Sequence, residues 1–287
     1  MAESLDEFKE ASSEEIARSR LLSQNPWAHL DESGGFSALS NHSLKQAGTF
    51  TKLLQGITKE HRHSHIEIEQ RVGELHKRIW QNRNKIWSNA TPSNPIDMLD
   101  PVIALKFVGY DCELDETLGQ FYSDGKLIEV AGTIAKSSAK VRISRRFENN
   151  IRNFTAAHEL GHALLHQTSG LHRDRPLNGT IISRDPIEWE ADKFATFFLM
   201  PRKLVKTTFE KIFLTDKFFL NEETAFALGY GDFMELKGKV KTLRQLSKML
   251  ASAEQYNGRH FISLANQFRV STEAMAIRLE ELELLAL

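Results

Sequence analysis

The stretch Phe154-Thr155-Ala156-Ala157-His158-Glu159-Leu160-Gly161-His162-Ala163-Leu164-Leu165-His166 decides how this chain is read. Phe154, Ala157, Leu160, Ala163 and Leu164 recur at helical spacing, so this helix would bury much of its surface. His158 and His162 are four residues apart, which places them on one helix face and lets both imidazoles reach one ion. Zn–N bonds are about 2.0–2.1 Å, so both rings have to aim at a common centre. Glu159 follows the first histidine and is the candidate general base, acting on water that an ion makes acidic. Gly161 costs a helix about 1 kcal/mol relative to alanine and requires a reason such as close packing. His166 extends the series but sits about 12 Å along the axis from His158 in a continuous helix. One ion does not easily hold both. His166 reads as a helix-end residue with a polar partner, or as part of a cleft wall.

Zinc requires a third protein ligand and an open position. Ile187-Glu188-Trp189-Glu190-Ala191-Asp192-Lys193-Phe194-Ala195 supplies candidates. Glu188 and Asp192 share a helix face, so Glu188 can ligate while Asp192 accepts the outer N–H of a ligand histidine. Asp185 and Glu188 also fit a helix-capping pair, which would make Glu188 structural and Glu190 the fallback ligand. Glu190 points about 160° away from the Asp192 side at 100° per residue, and this geometry favours Glu188.

Outward from these segments the pattern is mixed. Ile68, Val72, Leu75, Ile79 and Ile86 predict a helix over about 66–87. Asp100-Pro101 opens another helix and Gly109 stops it. Leu127–Val130 and Lys140–Ser144 read as strands and Ser123-Asp124-Gly125 as a turn. Residues 167–184 read as a loop, and 202–287 as almost entirely helical. Order and period predict an α+β protein, with two or three short strands in a small sheet. Residues 1–65 read as an extension, with His61, His63 and His65 as exposed polar sequence. The expected division is 1–65, a metallopeptidase domain at 66–205, and a helical C-terminal region at 206–287.

These residues resemble the ImmA/IrrE family of metallo-endopeptidases. The resemblance runs from Arg152 through His166, then through Glu188-x-x-Ala191-Asp192-x-Phe194-Ala195 and Phe198-Leu199-Met200-Pro201. The family often has Asn where this chain has Asp192. The resemblance implies a zincin-like core, in which a small sheet packs on the active-site helix. It also implies bound Zn2+ and regulatory cleavage of a helix-turn-helix repressor. Val130–Ile134 and Val141–Ser144 are similar to the family's strand pair, beside which an extended substrate would lie on an edge strand. The likeness covers about 66–205 and reaches loosely into 262–279.

Composition narrows the alternatives. Lys plus Arg number 37 and Asp plus Glu 38, so charge gives no general reason to bind nucleic acid or acidic lipid. Cys112 is the single cysteine, so no intrachain disulfide forms, which suits a reducing cytosol. The N-terminus has no apolar signal segment, and the expected location is cytoplasmic. The expected partner is a protein substrate, with no membrane and no direct nucleic-acid contact. Leu264–Ala274 has the look of a helix-turn-helix, which keeps a DNA-binding regulator as one alternative. Residues 256–287 hold three Arg and four Glu, however, and lack a basic face. A latent metal-bearing interaction module is the other alternative. His172, Arg173, Arg175 and Tyr230 are further candidate cleft residues for stabilising an oxyanion. His/His/Glu favours zinc, with manganese or iron as competitors.

Overall fold

A computed structural model describes residues 62–88, 91–123, 126–166, 172–173 and 185–287. Most of the expected extension, His61 included, lies outside them, as does the 167–184 loop apart from 172–173. The described order is helices, a small sheet, the two motif helices, then a largely helical C-terminal part.

Helix α1 (His65–Ile86) starts in a capping box: the Ser64 hydroxyl accepts from Glu67 N at 3.3 Å, and Glu67 Oε2 accepts from Ser64 N at 2.7 Å. Its buried stripe of Ile68, Val72, Leu75 and Ile79 repeats every three to four residues. Asp100 caps α2 (Pro101–Phe107) through Val102 N and Ile103 N. Gly109 then turns the chain at φ 93°, a conformation that favours glycine.

The chain next lays down β1 (Asp111–Asp115), β2 (Gln120–Ser123), β3 (Lys126–Glu129), β4 (Gly132–Ala135) and β5 (Lys140–Ser144). After α3 (Asn149–Leu165) comes the two-residue β6 (His172–Arg173). One sheet has the order β1-β5-β4-β6, with β1 parallel to β5 and the other pairs antiparallel. Ile134, Val141 and Ile143 point into the core, while Lys140 and Arg142 point out and pair with Glu113 and Asp115. The sequence missed β1, an edge strand whose residues are exposed or half-buried and therefore show no inward alternation. The strand predicted at Leu127–Val130 is β3, and it pairs with β2 in a separate hairpin instead of joining the sheet. The outer edge of β4 is met by β6 at Thr133 and Ile134.

Helix α4 (Pro186–Leu199) packs on α3 and α1, and α5 (Arg202–Phe213) runs across the expected boundary at 205–206. β7 (Phe218–Phe219), α6 (Glu222–Ala227), α7 (Phe233–Lys239), α8 (Leu243–Ser252), β8 (Gln255–Tyr256), β9 (Arg259–His260), α9 (Leu264–Gln267), α10 (Thr272–Glu281) and β10 (Leu285–Ala286) complete the chain. α10 packs against α8, with Met275, Ala276, Arg278 and Leu279 buried. The Arg278 guanidinium lies 4.9 Å from the centre of the Phe197 ring, and its Nε donates to Met200 O at 3.0 Å. This ties α10 to α4. Both aromatic stacking and the satisfied carbonyl favour arginine there.

His76 of α1 is buried, with its ring 4.8 Å from that of Phe198. Burial pushes its pKa down to about 3. The unfolded chain takes up this proton below about pH 6.5, whereas the folded chain resists it until about pH 3, so stability falls as pH drops through that window. At 1.36 kcal/mol per unit, the penalty at pH 5 is about 2 kcal/mol. Urea titrations at pH 7 and 5 should show this extra loss in the wild type and not in His76→Leu. Equal losses in the two proteins would refute it.

Candidate metal centre

Helices α3 and α4 approach closely because Gly161 has no side chain. A Cβ there would lie 3.0 Å from Phe194 Cβ and 3.1 Å from Ala191 Cα. That contact answers why a glycine is kept inside a buried helix. The crossing brings Glu188 and Asp192 of α4 beside the histidines of α3. His158 and His162 are almost fully buried, and their Nε2 atoms stand 2.9 Å apart. Glu188 Oε2 is 3.2 Å from His158 Nε2, and Oε1 is 3.6 Å from His162 Nε2. Donor atoms of His158, His162 and Glu188 all lie within 4.8 Å of one another. Asp185 caps α4 through Ile187 N at 3.0 Å. Glu190 is turned to His166 Nε2 at 3.2 Å and to the His63 main-chain N–H at 3.0 Å.

The donor set fits a divalent ion. Tetrahedral ligands at 2.0–2.1 Å from zinc stand about 3.4 Å apart, close to the spacings found. Tautomers agree as well. Asp192 Oδ1 accepts from His158 Nδ1 at 2.9 Å, which leaves the Nε2 lone pair directed at the common centre. His162 Nδ1 faces His166 Nδ1 at 3.0 Å, so donation from His162 leaves its Nε2 lone pair directed the same way. Glu188 is a third exposed on its side chain, which keeps one side of the group open to solvent.

Glu159 is fully buried beneath β4. A Cβ at Gly132 would come within 2.4 Å of Thr155 Cγ2 and 2.9 Å of Glu159 Oε1. Any side chain at 132 would therefore push on the carboxylate. The end of α3 is also held from outside. Lys136 Nζ donates to His166 O, His63 Nε2 to Leu165 O at 3.2 Å, and Arg71 Nη1 to Leu164 O at 3.5 Å. Three carbonyls that a helix end leaves without intrahelical partners are thus supplied with donors. Burial lowers the Lys136 ammonium to about 8, while the nearby Glu159 carboxylate opposes that shift.

His166 is the C-cap of α3 and contacts His162 and Glu190. Tyr230 lies among the C-terminal helices, its hydroxyl 3.8 Å from Met249 Sδ and its ring beneath Lys239. The backbones of His172 and Arg173 pair with β4 beside the site, and Arg175 lies outside the described residues. Sequence reasoning missed His63, Lys136 and Gly132. His63 was expected to be exposed and is instead buried, its main-chain N–H on Glu190 Oε1 at 3.0 Å and its ring on Leu165 O. The capping box at Ser64 and Glu67 was a readable sign that an ordered helix began there.

No described helix is long and apolar enough to cross a membrane. Searches of curated proteins and of solved structures returned no match. Residues 116–218, which hold His158, Glu159, His162 and Glu188, match the model of the M78 peptidases, described as an IrrE N-terminal-like domain.

Proposed function

We propose that this chain is a zinc-dependent endopeptidase with a regulatory role, acting on a repressor-like DNA-binding protein. The observation that carries the reading is the convergence of His158, His162 and Glu188 beside a buried Glu159. The M78 match supports a peptidase. His158, His162 and Glu188 would hold the ion, and Asp192 would orient His158. When bound, a divalent ion supplies Lewis-acid polarisation of a carbonyl and acidifies water. Glu159 takes the proton as base and returns it to the leaving amine, and Gly132 leaves room for that carboxylate. A substrate strand entering along β4 would take the place of β6 at Thr133 and Ile134. Residues 66–205 serve as the peptidase domain in this reading, and the chain works in the cytoplasm.

The DNA-binding alternative gains nothing from α10. That helix has Met275, Ala276, Arg278 and Leu279 buried against the rest of the protein, and Arg244 of α8 engages both Glu273 and Glu280. A groove-reading helix needs an exposed basic face. The test is incubation of the zinc-loaded chain with a co-encoded helix-turn-helix repressor, followed by intact-mass analysis. One internal bond should be cut. A repressor left whole, with DNA bound by the chain itself, would overturn the reading.

A further inference from the structure

We propose that His166 and Glu190 form a positioning relay that fixes His162 toward the metal, and that the main chain at His63 anchors it. This rests on the metal-centre reading above.

The two imidazoles at the site are oriented by different means. His158 has a carboxylate directly on its outer nitrogen, Asp192 Oδ1 at 2.9 Å. His162 has none. Its Nδ1 meets His166 Nδ1 at 3.0 Å, and His166 Nε2 meets Glu190 Oε2 at 3.2 Å. Both of these partner side chains are nearly buried, at 6 % and 5 % exposure. The other Glu190 oxygen accepts the His63 main-chain N–H at 3.0 Å.

Proton placement along this series follows from the chemistry of each group. A carboxylate only accepts, so His166 donates from Nε2 to Glu190. With its hydrogen on Nε2, His166 offers a lone pair at Nδ1, and His162 donates into it. That leaves His162 Nε2 without a hydrogen and aimed at the same centre as His158 Nε2. The relay thus gives His162 the tautomer that Asp192 gives His158, one imidazole further from the carboxylate. Glu190 therefore acts through His166 and His162 and does not itself reach the three donor atoms. The anchoring donor belongs to the segment just before α1, so residues 62–64 complete the back of the site. Lys136 and the His63 ring, on the carbonyls of His166 and Leu165, hold the helix end that carries His166.

The test measures zinc affinity of the full chain by competition with a chromogenic chelator, alongside the absorption spectrum of the cobalt-substituted protein. His166→Leu should weaken zinc binding about 10–100-fold, the range for outer partners of metal ligands. His166→Asn supplies an amide oxygen near the Nδ1 position and should recover most of that loss. Glu190→Gln should fall between wild type and His166→Leu, and the cobalt bands should shift in the same order. Circular dichroism of the metal-free variants checks that all four proteins fold. Equal affinities and spectra in a zinc-binding wild type and its variants would overturn the relay alone. Equal impairment of His166→Leu and His166→Asn would also overturn it, since packing would then be the whole role. A wild type that takes up no divalent ion would overturn the metal centre and the relay together.

Discussion

Glu159→Gln should lower the rate of peptide cleavage by about 10²–10⁴-fold, the range for a positioned acid–base group, while leaving zinc bound. Glutamine keeps the shape of the side chain, which matters at a position packed beneath Gly132 and Thr155. It removes the ability to take and return a proton. Glu159 is not among the three donor groups, so zinc stoichiometry should stay at the wild-type value. Single-turnover cleavage of the repressor, read by mass, measures the first part. Elemental analysis of the same preparation measures the second. If cleavage falls by less than tenfold, the base lies elsewhere. Loss of cleavage together with zinc would make Glu159 a support of the site and not its base.

Much of this arrangement was legible because helical spacing is a strong geometric constraint. His158, His162 and the pair Glu188 and Asp192 each follow from residues four apart on one face. The preference for Glu188 over Glu190 also came from angle, and the Glu190 carboxylate is turned to His166 and His63. Gly161 announced a close helix contact before any coordinates, and Ala191 and Phe194 provide it. The illegible parts depend on long-range packing. Nothing local in Cys112-Glu113-Leu114 announces a strand, because β1 owes its place to pairing with β5. Gly132 looks like any glycine in a strand until Glu159 is seen packed beneath it. His63 lies 127 residues from Glu190, and a polar tripeptide of this kind carries no mark of burial. Buried polar contacts of high sequence separation leave no periodic trace, and that explains why the relay was not read from sequence.

Glu188→Ala should abolish stable zinc binding, lowering affinity by more than the roughly 100-fold upper range for outer partners. Two neutral imidazoles remain, and the anionic donor that bridges toward both Nε2 atoms at 3.2 and 3.6 Å is gone. The fold itself should be little affected. The Glu188 side chain is a third exposed and N-cap Asp185 bonds to Ile187 N, so neither a cavity nor a lost cap follows. Such surface changes usually stay within about 0.5 kcal/mol. The two effects separate in a thermal melt. Zinc at 100 times its Kd adds about 2.7 kcal/mol to a protein that binds it only when folded. Wild type should therefore melt higher with zinc than without, and Glu188→Ala should melt at the metal-free temperature in both conditions. Glu190→Ala should keep part of the zinc-dependent rise, because its carboxylate acts two imidazole contacts away. If Glu188→Ala retains the full rise, the third donor is not on this face of α4. An equal collapse in Glu188→Ala and Glu190→Ala would mean that α4 needs both carboxylates merely to dock.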